Sequence, residues 1–383
     1  MKKLTIIFTT SHADTLGNAC RLEMVRYLTN NFDTTIITNR KDFIERQFEN
    51  TRVVSIEQKR KIPFLSDLFD WKSIAKITNK IESDAVFMFD DDSQSTIWIK
   101  KPVFQYVHQY GERSDKNINL VKKINWNILK KFREYYYLKG LRKSAAVFVV
   151  SHPIIEILKY KGVKNLSYVP HGVNLSKFQK PLLNEFHRDI IDLKSNGYFI
   201  ITYTGWVTEN RGYQLMMDSI KKVAEKERKA VLVIAGADKH FSERIAEYAE
   251  QNHLEDNIIN FGIIDVSLIP GILHLSDVCL SFLDDVPAYK ISPPQKVIEY
   301  FAAGKPVICN KIKTHEWLVK DGVTGFITRY DAKDVSTKIM RLIQDKELLK
   351  TMSQNALEEA YKYDIKNVYG NMVKKINEVL NEY

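Results

Sequence analysis

Short apolar runs rich in Val, Ile and Phe alternate with longer amphipathic stretches along the chain, the pattern of βαβ units that build parallel sheets. In the first half these runs predict strands at 4–8, 34–38, 52–55, 85–89, 103–107, 145–150 and 166–169. In the second half they predict strands at 198–204, 230–235, 258–261, 278–281, 307–309 and 325–328. Each half is therefore expected to be a doubly wound α/β domain. Strand patterning lapses in a polar segment at 174–196, broken by Pro181, which sets the expected domains at 1–175 and 197–364. From 331 onward the chain is strongly helical, and its last part, 365–383, can pack back on the first domain.

Composition leaves this picture intact. A chain of 383 residues is long enough for two cores, and 44% hydrophobic with 27% charged residues is the balance of a globular protein without disordered or collagenous bias. Cys20, Cys279 and Cys309 are odd in number, far apart and outside any CxxC or Cys/His cluster, which points to a reducing compartment and no structural zinc. The N-terminal apolar run ends at polar Thr9 without a small-residue cleavage site, so it reads as a buried strand rather than a signal peptide. No stretch of about 18 apolar residues is present, and a cytoplasmic protein is expected.

Charge adds a candidate surface. Residues 1–180 carry 31 Lys and Arg against 18 Asp and Glu, whereas the rest carries 26 against 29. Residues 116–143 hold nine basic side chains and one acid, Glu134, interleaved with Trp126, Phe132 and Tyr135 to Tyr137. Such a stretch suits an anionic membrane surface with an aromatic anchor level, and equally a solvated helix face. Nucleic acid is disfavoured because no recognised binding motif accompanies the charge.

In doubly wound sheets ligands bind beyond the carboxyl ends of the strands, so the residues just after strands matter most. After strand 198–204, Gly205 and then Arg211-Gly212 at a helix start offer backbone N–H groups and a guanidinium to a phosphate, or form an ordinary turn with a solvated Arg. In SPPQKVIEYFAAGKPVI, 292–308, Lys296 and Glu299 share a helix face. There the carboxylate can take the hydroxyls of a ribose and the ammonium a diphosphate, or the two form a surface pair. Asp90 to Asp92 follow strand 85–89 and read either as a polar strand end touching an acceptor or as metal-binding acids. His108 follows strand 103–107, and His12 lies in the first loop.

In order, VPHGVN, YTGWVTENRG, VIAG, NFGIID, SPPQKVIEYFAAGKPVI and EWLVKDGVTGFIT resemble the successive signatures of the retaining, GT4-like glycosyltransferases of the GT-B fold, over residues 165–330. The resemblance implies two Rossmann-like domains facing across a cleft, an acceptor-binding one at 1–175 and a donor-binding one at 197–364. It implies sugar transfer from a UDP- or GDP-sugar to a hydroxyl of a glycan or lipid-linked acceptor, in cell-surface polysaccharide or glycoconjugate synthesis at the inner face of the cytoplasmic membrane. No cofactor and no metal are expected. Position by position, Glu299 matches the ribose-binding glutamate, Arg211 a diphosphate-binding cation, Gly205 the glycine at the preceding strand end, Gly17 a glycine near the phosphates, and His108 a histidine near the donor sugar. Catalytic roles fall to His108, Arg211 and Lys296, with His12 and Asp90 on the acceptor side.

The chain departs from the pattern in three places. Trp206 stands where an arginine is usual, Ile291 where a first glutamate would be, and His171 where Asn is usual. Lys296 is expected to supply part of the missing charge. Trp206 and Ile291 also keep open a non-catalytic nucleotide-sugar-binding homologue, and a GT-B epimerase or phosphorylase shares the layout. A Rossmann dehydrogenase is disfavoured, since no GxGxxG follows the first strand of either half.

Overall fold

The computed structural model describes residues 1–9, 19–56, 65–110 and 120–382. The chain forms two compact units. The first holds the strand Lys3–Ile7, Arg21–Pro170 and Val368–Tyr383; the second is centred on His171–Asn367.

In the first unit, strands β1 (Lys3–Ile7), β2 (Asp33–Thr38), β3 (Arg52–Ser55), β4 (Ala85–Phe89), β5 (Val103–Val107), β6 (Ala146–Val149) and β7 (Leu166–Tyr168) form one sheet in the order β3-β2-β1-β4-β5-β6-β7. All pairings are parallel. In the second, β8 (Phe199–Thr204), β9 (Ala230–Ala235), β10 (Ile258–Asn260), β11 (Val278–Ser281), β12 (Val307–Asn310) and β13 (Gly325–Thr328) pair in parallel in the order β10-β9-β8-β11-β12-β13. Both orders reverse beside the first strand, between β1 and β4 and between β8 and β11. Those are the places where such sheets open a crevice at their carboxyl edge.

The central strands hold because both faces are buried. Ile201, Tyr203, Leu232, Ile234, Val278 and Leu280 face a core completed by Met216, Ile220, Val223 and Ile339. The alternate positions Ile200, Val231, Val233, Ala235, Cys279 and Val307 face another, closed by Ile190, Ile272, Val297 and Phe301. Successive side chains point to opposite faces, so a strand covered on both sides reads as a continuous apolar run, and these are the runs visible in the sequence.

The polar segment at 174–196 is not the boundary. It folds into the helices Leu175–Gln179 and Arg188–Ser195. Val173, Leu175, Phe178 and Ile190 sit in the second core, so the second unit begins at His171. Short amphipathic helices bury only one residue in three or four, which is why they read as linker. At the other end, the helix Ile365–Glu382 enters the first unit at Val368. There the Tyr369 ring packs edge-on at 5.9 Å from Tyr27, and Lys2 Nζ donates to Asn381 Oδ1 at 2.6 Å.

Candidate functional site

In the second unit the residues beyond β8 and β11 converge on Gly205. This glycine has φ +106°, a region that favours glycine. A Cβ there would lie 3.3 Å from Lys296 Nζ and 3.9 Å from Arg211 Nη1, so the bare backbone leaves open the space between two cations. Four of the loop amides are engaged within the unit. Gly205 N–H donates to Ala235 O, Val207 N–H to Gly236 O, Arg211 N–H to Thr208 O and Gly212 N–H to Glu209 O. Beside these four amides the loop offers an anion the Arg211 charge and the open space at Gly205.

Arg211 ends a short 3-10 turn, Glu209–Arg211, and is followed by Gly212 at φ +75°, the cap residue of the helix Tyr213–Ala224. A Cβ on Gly212 would fall 2.4 Å from Phe282 Cβ, so only glycine lets this turn approach β11's exit. The Arg211 guanidinium lies beside the hydroxyls of Tyr203 and Tyr289, its Cζ 5.9 Å from the Tyr289 ring centroid. Burial opposes its charge, but the two tyrosines favour it and hold its pKa above the ordinary value. Burial likewise pushes the Tyr203 hydroxyl up to about 12, so it stays protonated and donates to Trp206 O at 2.9 Å.

Lys296 stands in the first turn of the helix Gln295–Ala302. Its ammonium is buried without a hydrogen-bond partner and sits 3.6 Å from the Tyr203 ring centroid. Burial, then the neighbouring Arg211 charge, pulls its pKa well below the usual lysine range, with Glu299 acting in the opposite direction. The alternative of a surface Lys296–Glu299 pair is overturned: Lys296 turns inward, and Glu299 Oε1 accepts from Gln295 Nε2 at 2.8 Å. Among the described residues no carboxylate forms an ion pair with Lys296 or Arg211.

Three polar clamps hold this arrangement, and sequence reading missed them because the partners of each lie far away in the chain. Tyr300 OH accepts from Thr204 N and Oγ1 and donates to Leu280 O, tying the helix of Lys296 and Glu299 to the ends of β8 and β11. Asn310 exchanges two hydrogen bonds with the Leu283 backbone, fixing the loop after β11. His315 donates from Nδ1 to Asn310 O and accepts at Nε2 from Ser281 Oγ. Burial drives its pKa down to about 4, so it is a neutral brace.

In the first unit the candidates lie at the β1/β4 reversal. Asp90, just after β4, accepts from Arg21 Nη2 at Oδ1 (2.7 Å) and from His108 Nδ1 at Oδ2 (2.9 Å), and Oδ2 also faces the His108 and Gln109 amides at 3.3 Å. Burial disfavours its charge, yet His108 and Arg21 together hold the carboxyl below the usual range. Arg21 Nη2 also lies 2.8 Å from His108 Nδ1. Arg21, itself buried, comes from the helix Ala19–Thr29 and was not singled out in the sequence, where an Arg far from Asp90 carries no signal. Asp92 turns elsewhere, accepting from Thr9 Oγ1 at 2.6 Å. The structure thus brings together His108 with Asp90, and Gly205, Arg211 and Lys296 with Glu299 one turn along the helix. Gly17 and His12 lie outside the described residues.

Comparison with known proteins bears on this constellation. The sequence model of the family "Glycosyl transferases group 1" matches residues 185–359, which contain every donor-side residue described above. A UDP-Gal:alpha-D-GlcNAc-diphosphoundecaprenol alpha-1,3-galactosyltransferase of Escherichia coli is 25% identical over 228 residues, 58% of this chain and 55% of that protein. This chain therefore spans about half the length of that relative. The capsular polysaccharide biosynthesis glycosyltransferase CapM of Staphylococcus aureus is 23% identical over 332 residues, 81% of this chain and 80% of CapM. Among solved structures, HepE of Anabaena in complex with UDP and glucose superposes with a TM-score of 0.74 at 13% identity, covering 99% of this chain and all of HepE. The fold of two doubly wound α/β domains expected from the sequence is the one observed, and it is the GT-B fold.

Proposed function

We propose, from the match of residues 185–359 to the model of the glycosyl transferases group 1 family, that this chain moves a sugar from a nucleotide-sugar to a hydroxyl acceptor with retention of configuration. The observation that carries this reading is the buried Arg211 guanidinium and the Lys296 amine, set around the open space at Gly205, with no carboxylate among the described residues in an ion pair with either. Unpaired buried charge is destabilising and calls for an anion, and a donor diphosphate supplies one. Glu299, on the same helix as Lys296, is placed to accept the ribose hydroxyls. The UDP bound to HepE and the UDP-sugar named for the E. coli relative support the donor class.

Departure of the nucleoside diphosphate leaves an oxocarbenium-like sugar and builds charge on phosphate. Arg211 and Lys296 stabilise that charge where it forms, in a site where burial strengthens each interaction. The two cations supply the neutralisation that a divalent metal provides elsewhere, which supports a metal-independent reaction. The leaving phosphate takes the acceptor proton on the face it departs from. His108, held by Asp90 and Arg21, orients the sugar.

The acceptor in this reading is a glycan or lipid-linked precursor in cell-surface polysaccharide synthesis at the inner face of the cytoplasmic membrane. The undecaprenol-linked acceptor in the E. coli name and the capsular role in the CapM name support it. So does the first unit's surface. On the helix Leu120–Lys143 the single acid, Glu134, is taken up by Tyr110 and Lys161, while Lys130, Lys131, Tyr135 and Lys139 are exposed. No helix of the described residues is long and apolar enough to cross a membrane.

A thermal-shift screen with UDP-, GDP-, ADP- and dTDP-sugars tests the donor assignment, since a ligand bound only by the folded state raises its apparent stability. One of them should raise Tm in the wild type and fail to do so in Arg211→Gln. Stabilisation by none would reject the reading.

A further inference from the structure

Lys296 poses a problem that the donor reading by itself leaves open. An ammonium has three N–H donors and no acceptor capacity, and burying it without partners is among the more expensive arrangements a protein can hold. Here Nζ is buried without a hydrogen-bond partner and lies 3.6 Å from the centroid of the Tyr203 ring. The groups that face it from the surrounding elements are few. Tyr203 on β8 is a protonated phenol that donates to Trp206 O, and Arg211 is a fixed cation beside the same glycine. Cys279 on β11 is a buried thiol held neutral, and His315, on the helix Lys313–Leu318, is braced as neutral imidazole. Glu299, on Lys296's own helix, is the carboxylate among the described residues that favours its charge, and its Oε1 accepts from Gln295 Nε2. Arginine keeps its proton under all ordinary conditions, whereas a buried lysine gives its proton up readily. Of the two cations around Gly205, Lys296 is therefore the one free to change charge.

Resting on the donor reading above, we propose that Lys296 is a neutral amine in the empty site at mildly alkaline pH and takes a proton from solvent as the donor diphosphate binds. The bond formed is N–H on Nζ, the proton comes from water or buffer, and the net charge of the site rises by one as the anion enters. The empty site then holds one buried charge instead of two repelling ones. The same proton is in place when the departing diphosphate gains charge, so the interaction is strongest where transfer needs it. Linkage fixes the sign. The lysine pKa is depressed in the empty site and raised by the phosphate, so binding takes up a proton between those values. Affinity therefore falls with rising pH there, by up to about tenfold per pH unit.

Isothermal titration calorimetry with UDP, GDP, ADP and dTDP, in two buffers of different ionisation enthalpy, reads the proton directly. At about pH 8.5 the terminal phosphate of each nucleotide, with a second pKa near 6, is already ionised, so uptake must come from the complex. The nucleotide that binds should show an enthalpy that depends on the buffer, with up to one proton taken up. Lys296→Arg, which keeps the charge but cannot titrate, should bind with heat independent of buffer. Buffer-independent heat in the wild type, or uptake that persists in Lys296→Arg, would overturn the proposal while leaving the donor site standing. Binding of none of the four would overturn both.

Discussion

Asp90 shows how a single carboxylate becomes structural. Burial works against its charge, and His108 and Arg21 more than offset that, so its pKa lies below the ordinary carboxylate value of about 3.9. A depressed folded value means stability that is fully present above the unfolded pKa and lost as pH falls through the folded one. In urea denaturation, Asp90→Asn should therefore be less stable than wild type at pH 5 to 7, by about 3 kcal/mol since Arg21 and His108 lose the carboxylate between them, and the gap should narrow below about pH 4. A gap independent of pH would mean that the carboxylate charge is not what stabilises. On the donor side, Glu299→Gln keeps shape and removes charge. Hydrogen bonds to charged groups contribute about 1.5–3 kcal/mol, so donor KM should rise by roughly one order of magnitude or more with acceptor KM unchanged. Lys296→Ala should weaken donor binding severalfold, and an unchanged donor KM would count against its place at the diphosphate.

At the scale of elements, the turn that delivers Arg211 depends on Gly212. Positive φ and a Cβ 2.4 Å from Phe282 Cβ make Gly212→Ala doubly unfavourable. Forcing a side chain into that conformation costs about 1–3 kcal/mol, and relieving the clash must shift Arg211. The expected outcome is a lower urea midpoint together with a drop of about tenfold in kcat/KM for the donor. Stability loss with kinetics unchanged would show that the turn does not set the position of Arg211. Tyr300 plays the matching part for the Gln295–Ala302 helix. Losing its hydroxyl in Tyr300→Phe leaves the Thr204 amide and the Leu280 carbonyl buried and unpaired, at about 1–3 kcal/mol, read from the same urea titration.

For the whole molecule the decisive quantity is where the charge sits. The excess of basic over acidic residues in the first 180 falls mostly on a unit whose helix Leu120–Lys143 exposes Lys130, Lys131, Lys139 and the Tyr135 ring. Each Lys near an anionic bilayer contributes about 1 kcal/mol and is screened by salt. The protein should co-sediment with vesicles containing anionic phosphatidylglycerol at low salt, less so at 0.5 M NaCl, and the triple change Lys130→Glu, Lys131→Glu, Lys139→Glu should abolish it. No binding of the wild type at low salt would reject a membrane-facing first unit.

The thirteen strands of the described residues were legible to within about a residue, the central ones because a strand buried on both faces must be apolar throughout and that needs no knowledge of its neighbours. Lys296, Glu299, Arg211 and Gly205 were legible as a set because their spacing follows from one loop and one helix. What the sequence could not supply was every fact that depends on residues far apart in the chain. The inward turn of Lys296 onto Tyr203, the capture of Asp90 by Arg21 and the braces at Tyr300 and His315 are of this kind. So is the assignment of 174–196 to the second core, since three buried apolar side chains in a polar stretch signify nothing until the surface that covers them exists. Local pattern is set by how a segment buries its own faces; charge state and hydrogen bonding are set by what packs against them, and only the tertiary structure brings those partners within reach.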